Sequence, residues 1–248
     1  MTWYTLPVKP NLTKYKAILF DMDGTLIDTR DVWGPACAKY ITMMGKTPSP
    51  DLDIQRDQIY TKAANAKSKM GVWHEFFRLL NEAYGIEGTP EAAVQIAHRE
   101  LAPGLLTEVA YLGGAAEFLN KMKDSGKTLG LVTASGRDGV HVFSHKNRHI
   151  QDAADFRIIF GENIVTSEDV AHSKPAPDGY LLMAKRLGVK PSECLVFEDS
   201  LWGVQSAVAA GMDVCAVNMH LREGEAPGER AKILKLTPYH VDTFCAML

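Results

Sequence analysis

The 248-residue sequence predicts an α/β fold, a doubly wound parallel sheet with an all-helical insertion after its first strand. Three observations lead there. An apolar run, Ala17-Ile18-Leu19-Phe20, ends abruptly in Asp21-Met22-Asp23-Gly24-Thr25. Residues 31–101 carry apolar positions at helical spacing with no strand run between them, and from Gly113 onward helix and strand patterns alternate. Strands joined by single helices need right-handed crossovers, which give a parallel sheet covered on both faces.

The first strand, 17–20, is short, apolar and closed by a glycine turn. A single residue separates Asp21 from Asp23, so both carboxylates can reach one pocket at the strand's mouth, and Gly24 lets the backbone turn without a Cβ clash. The insertion is expected over 29–106. Within it Trp73, Phe76, Phe77 and Leu80 recur at three and four residues, which reads as the insertion's own core. Pro103-Gly104 and Gly113-Gly114 supply the breaks of a return linker. There follow a helix near 115–124, a strand at 128–133, a helix at 138–147 and a strand at 157–160. A helix at 178–187, a strand at 194–197, a helix at 201–210 and a strand at 213–217 complete the sheet domain, residues 1–28 with 107–248.

Composition excludes several functions. With 46% hydrophobic residues the chain can bury a sizeable core, and its net charge of −3 gives no basic footprint for nucleic acid and no polybasic membrane patch. No apolar stretch approaches membrane-spanning length, and residues 1–15, with Pro7 and Pro10, lack the apolar run of a secretory leader. Cys37, Cys194, Cys215 and Cys245 are scattered without zinc or disulfide spacing. The expectation is a cytoplasmic enzyme, monomer or homodimer, acting on a small molecule. His141, His145 and His149 recur every four residues and are expected on one helix face, solvated rather than metal-binding, because Lys146 and Arg148 lie among them.

Three further signals fall at strand ends or loops, where open α/β sheets build their sites. They are Thr133-Ala134-Ser135, Lys174-Pro175-Ala176-Pro177-Asp178 and Glu198-Asp199-Ser200. Each alone has a plainer reading: Asp-x-Asp-Gly as a turn, Lys-Pro as a helix start, Glu-Asp-Ser as a helix cap. Together, in this order and strand context, and with Asp21 to Asp28, they resemble the haloacid dehalogenase superfamily of phosphohydrolases over nearly the whole chain.

That resemblance implies a Rossmann-like core whose first strand lies between those ending at Thr133 and Asp199, with residues 29–106 as a helical cap that closes over the crevice. It implies Mg²⁺ held by Asp21, the Asp23 backbone carbonyl, Glu198 and Asp199. Asp21 would be the nucleophile and Asp23 the general acid–base, while Thr133 holds phosphoryl oxygens and Lys174 offsets negative charge. Candidate substrate contacts are Ser135 and, in the cap, Lys67, Lys69, Trp73, His74 and Arg78. The substrate class is a small phosphorylated metabolite: a sugar phosphate, a polyol phosphate or a nucleoside monophosphate, as in the pseudouridine-5′-phosphatase-like group. Gly113-Gly114-Ala115 departs from the Pro-Gly-Ala that many relatives carry. Two alternatives stay open. A phosphomutase of the same superfamily would carry a cap histidine where this chain has Trp33. A phospho-accepting receiver module would place its acid after the third strand and lack the insertion.

Overall fold

The computed structural model describes residues 8–66, 72–218 and 228–248. The chain divides into two compact units, Met1–Asp28 with Val109–Leu248, and Thr29–Glu108. The first unit is built on a six-stranded parallel sheet: β1 Ala17–Phe20, β2 Thr128–Val132, β3 Ile164–Val165, β4 Cys194–Glu198, β5 Asp213–Ala216 and β6 Tyr239–His240, ordered β3-β2-β1-β4-β5-β6.

Burial explains the order. All of β1 and β4 is inaccessible to solvent, as central strands covered on both faces must be. Phe20 stacks on Phe197 with ring centroids 5.4 Å apart, and Phe118 and Phe244 close the same aromatic layer. Each such side chain contributes about 1.5–3 kcal/mol through burial. On the opposite face, Leu19, Val132, Tyr180, Met183, Val196 and Val204 form a second layer. Gly130 of β2 admits this packing, because a Cβ there would stand 2.8 Å from Met183 Sδ. Register pairs Phe20 with Leu131 on one side and with Phe197 on the other, so β1, β2 and β4 end side by side.

The structure corrects the sequence reading in several places. Residues expected as a strand at 157–160 form a short helix, Phe156–Ile159, started by Asp155, whose carboxylate accepts from the Arg157 N–H at 2.8 Å. Phe156 and Ile159 point inward while Ile158 is 67% exposed, a helical period and not an alternating one. The strand on that edge is the two-residue β3, and β6 was not anticipated. The helix expected at 138–147 ends at His145, and a new helix, Arg148–Ala154, starts from Asn147, whose side chain accepts from the Ile150 N–H at 3.0 Å. His141 and His145 stack at 4.4 Å, but His149 belongs to the second helix, so the three do not share one helix face.

The unit Thr29–Glu108 holds the helices Arg30–Met43, Leu52–Asn65, Val72–Tyr84, Pro90–Gln95 and Ala102–Leu106, with a π-helical run at Ile96–Leu101. Tyr40, Ile41, Phe76, Phe77 and Leu80 are its buried core, and Trp73 packs half-buried against them. Among the described residues no helix is long and apolar enough to cross a membrane.

Candidate active site

The three adjacent strand ends deliver the sequence-predicted acids and hydroxyls to one place, and Lys174 reaches it from the loop between β3 and the helix Asp178–Leu187. Asp21 leaves β1 with its N–H donating to the Phe197 carbonyl at 3.1 Å, and the residue is 7% exposed. The chain then doubles back: Leu26 and Ile27 N–H groups donate to the Met22 carbonyl and Gly24 N–H to the Ile27 carbonyl. Gly24 is required twice, by its φ of +82° and because a Cβ would lie 2.5 Å from Asp199 Oδ2. Beside it Thr25 Oγ1 donates to Asp199 Oδ1 at 2.9 Å.

Lys174 is the hub of the cluster. Its Nζ donates to Asp21 Oδ1 at 2.5 Å, to Glu198 Oε1 at 2.7 Å and to the Val132 carbonyl at 3.0 Å. Glu198 is fully buried and both its oxygens are engaged. Oε1 also accepts from Tyr180 OH at 3.0 Å, and Oε2 accepts from the N–H groups of Asp199 and Ser200 and from Ser200 Oγ. On the other side Asp23 Oδ2 accepts from Ser135 Oγ at 2.6 Å and from Thr133 Oγ1 at 3.5 Å, and the Ser135 N–H donates to Thr133 Oγ1.

Charge is unbalanced here. Burial first, then the Glu198 and Asp199 carboxylates, push the Asp21 carboxyl well above its ordinary range, against the downward pull of the Lys174 ammonium. Burial draws Lys174 down, but Asp21 and Glu198 outweigh it and hold the ammonium well above its usual value. One ammonium therefore serves a surplus of carboxylates. Oxygens of Asp21, Glu198 and Asp199 lie within 4.8 Å of one another, and this hard, buried, anionic donor set suits Mg²⁺. Of the three, Glu198 is also tied to Lys174, Tyr180 and the following backbone, so both its oxygens already accept hydrogen bonds.

The structure brings Asp21, Asp23, Thr133, Ser135, Lys174, Glu198 and Asp199 into this one unit. The remaining candidates belong to the helical unit. Trp73 packs on Trp33 and His98 with centroids 4.6 and 5.0 Å away, and His74 is half-buried. Arg78 is exposed, with its guanidinium paired to Glu75 and Glu82 of its own helix. Lys67 and Lys69 lie outside the described residues. Sequence reasoning missed Tyr180 and Gly203. A Cβ at Gly203 would fall 1.7 Å from Glu198 Oε1, so the third residue of the helix Leu201–Ala209 must be a glycine facing that carboxylate. The available signal was a glycine one turn into the helix that follows Glu198-Asp199-Ser200.

The family model of haloacid dehalogenase-like hydrolases matches residues 15–211. A Drosophila melanogaster protein named "Probable pseudouridine-5′-phosphatase" is 30% identical over 210 residues, covering 83% of either chain. Hexitol phosphatase A of Escherichia coli is 33% identical over 208 residues, covering 82% of this chain and 83% of that one. Among solved structures, CbbY from Rhodobacter sphaeroides in complex with phosphate superimposes with a TM-score of 0.69 over 94% of this chain and 96% of that one; at 24% identity this likeness concerns fold alone. Matched across 15–211, with its motifs gathered at the ends of β1, β2 and β4, the chain belongs to the haloacid dehalogenase-like hydrolases.

Proposed function

We propose that this enzyme hydrolyses a small phosphate monoester through an aspartyl-phosphate formed on Asp21. The family match and relatives named as phosphatases make it a phosphate-monoester hydrolase. Substrates consistent with those names are sugar phosphates, polyol phosphates and nucleoside monophosphates. The observation that carries the mechanism is the Lys174 ammonium bridging Asp21 and Glu198 beside Asp199.

A phosphate dianion repels a carboxylate nucleophile, so the site must supply positive charge before Asp21 can approach phosphorus. Lys174 supplies part of it. Mg²⁺ held by Asp21, Asp199 and the Asp23 backbone carbonyl would supply the rest and shield the phosphoryl oxygens. An Asp21 oxygen bonds to phosphorus as the ester P–O bond breaks, and the Asp23 carboxyl gives its proton to the departing alkoxide. Asp23 then takes a proton from water attacking the aspartyl-phosphate, which releases inorganic phosphate and restores Asp21. Ser135 Oγ, 2.6 Å from Asp23 Oδ2, orients that carboxyl for both steps. Proton transfer of this kind is worth about 10²–10⁴ in rate. Trp33 favours water over a second sugar hydroxyl as acceptor, since it stands where mutase relatives carry a histidine.

Residues 1–28 with 107–248 are read as the catalytic core and 29–106 as the cap. Free Cys37, Cys194, Cys215 and Cys245 fit a reducing cytoplasm. The test is phosphate release from a panel of phosphate monoesters. Asp21→Asn should remove turnover and acid-stable labelling of the protein by substrate phosphate, and EDTA should silence the wild type until Mg²⁺ is restored. Asp21→Asn turning over at the wild-type rate, or isomerisation of a sugar phosphate without net phosphate release, would overturn this reading.

A further inference from the structure

The geometry points to Asn218 as a positioning residue that locks the turn after the two catalytic-site acids and, through it, the orientation of Asp199. Asn218 follows the end of β5 and is 1% exposed. Its φ of 52° makes it the one non-glycine residue with positive φ among the described residues. Asparagine tolerates that conformation better than most residues, yet a buried side chain held in it needs a structural reason. The reason is in its contacts. Nδ2 donates to the Gly24 carbonyl at 3.0 Å and to the Thr25 carbonyl at 2.9 Å, which uses both amide hydrogens on consecutive peptide groups.

Those two residues are the ones that touch Asp199. Thr25 Oγ1 donates to Asp199 Oδ1, and the Gly24 backbone approaches Asp199 Oδ2 so closely that no Cβ fits between them. Asp23 precedes the same turn by a single residue. A side chain from just beyond β5 thus fixes, through one turn, both Asp199 of the acidic cluster and the acid–base residue. No element of the first motif reports this, because the amide sits nearly two hundred residues downstream of its acceptors (|i−j| of 194 and 193).

The proposal rests on the metal-dependent reading above for its kinetic consequence, but not for its structural one. Asn218→Gly and Asn218→Ala in the full chain separate the amide from the backbone shape, since glycine adopts φ near 52° freely and alanine does not. Both should speed hydrogen exchange of the Gly24, Leu26 and Ile27 amides in metal-free protein roughly 5- to 10-fold, the effect of losing one or two hydrogen bonds, with β4 amides unchanged. Both should weaken Mg²⁺ binding, read by calorimetry without substrate, about 10–100-fold, and lower kcat with KM for substrate held. Wild-type exchange and Mg²⁺ affinity in Asn218→Gly would overturn the proposal, because the backbone conformation alone would then suffice. Should Asn218→Ala fail to fold, the glycine variant decides. Should wild-type protein bind no Mg²⁺, the metal-dependent reading fails while turn exchange still decides the role of Asn218.

Discussion

The crevice at the ends of β1, β2 and β4 and the interior of the helical unit both bury polar groups, and they treat them in opposite ways. In the crevice Asp21, Lys174 and Glu198 are held by one another, by Tyr180 and by backbone, so no member can move alone. In the helical unit the His98 Nε2 and the Asn81 Nδ2 are buried without a hydrogen-bond partner, surrounded by aromatic and aliphatic fill. Charge organises the first region and shape the second. Substitutions that preserve shape should therefore be ruinous in one and mild in the other.

Among substitutions that delete no functional group, the largest effect is expected at Gly203. Alanine there would set a methyl 1.7 Å from Glu198 Oε1, a buried carboxylate with no room to retreat. Glu198 must shift, and Lys174 then loses a partner inside a buried ion cluster, a change that typically costs about 3–5 kcal/mol. Gly203→Ala should lower turnover by at least ~10²-fold, the loss expected when a reacting group moves about an ångström, and should lower the melting temperature as well. Gly139→Ala is the matched control, since its Cβ would meet only Ser135 Cβ at an ordinary 3.9 Å. Equal damage in both variants would show that glycine content, and not the Glu198 contact, matters.

A second contrast is in pH. Burial, then the charge of His74, brings the His98 imidazole down to about 4. Between about pH 4 and the unfolded value near 6.5 the unfolded chain binds the extra proton, so stability contributed by neutral His98 is complete above 6.5 and is lost as pH falls toward 4. The loss amounts to roughly 2–3 kcal/mol. Urea denaturation at pH 4.5 and 7.0, followed by the emission of Trp33 and Trp73 that pack on this ring, should register it. His98→Phe should flatten the difference, and an unchanged slope in that variant would remove His98 from the explanation.

What the sequence could announce divides along the same line. Asp21, Asp23, Thr133, Glu198 and Asp199 were legible because strand-end chemistry is written locally, an apolar run followed at once by polar residues, whereas Lys174 was legible only through the Lys174-Pro175 start of the helix at Asp178. The strand expected at 157–160 failed because Ile158 and Ile159 are β-branched, a preference that the Asp155 cap and the burial of Phe156 and Ile159 override. The two-residue β3 and β6 gave no run to detect. Glu198's engagement was invisible for another reason. Its distant partners Lys174 and Tyr180 reach it only after the helix Asp178–Leu187 has packed on β2 and β3, so spacing could show an acid at a strand end but not which oxygens were already taken.

The smallest effect sharpens the comparison furthest. In the helical unit Tyr40, 1% exposed, donates to Asn81 Oδ1 at 2.8 Å, while the Asn81 amide nitrogen goes unpartnered. Tyr40→Phe strips the remaining hydrogen bond from a buried amide and should cost about 1–2 kcal/mol in urea denaturation. Adding Asn81→Leu should return most of that stability, because an apolar pair of similar shape has no donor or acceptor to desolvate. The analogous exchange in the crevice, Lys174→Met with Glu198→Leu, has no such rescue: it deletes the ammonium that Asp21 requires, so a folded protein would still lack turnover. Failure of Asn81→Leu to rescue Tyr40→Phe would place a specific polar requirement inside the helical unit, and the division between a charge-organised and a shape-organised region would no longer hold.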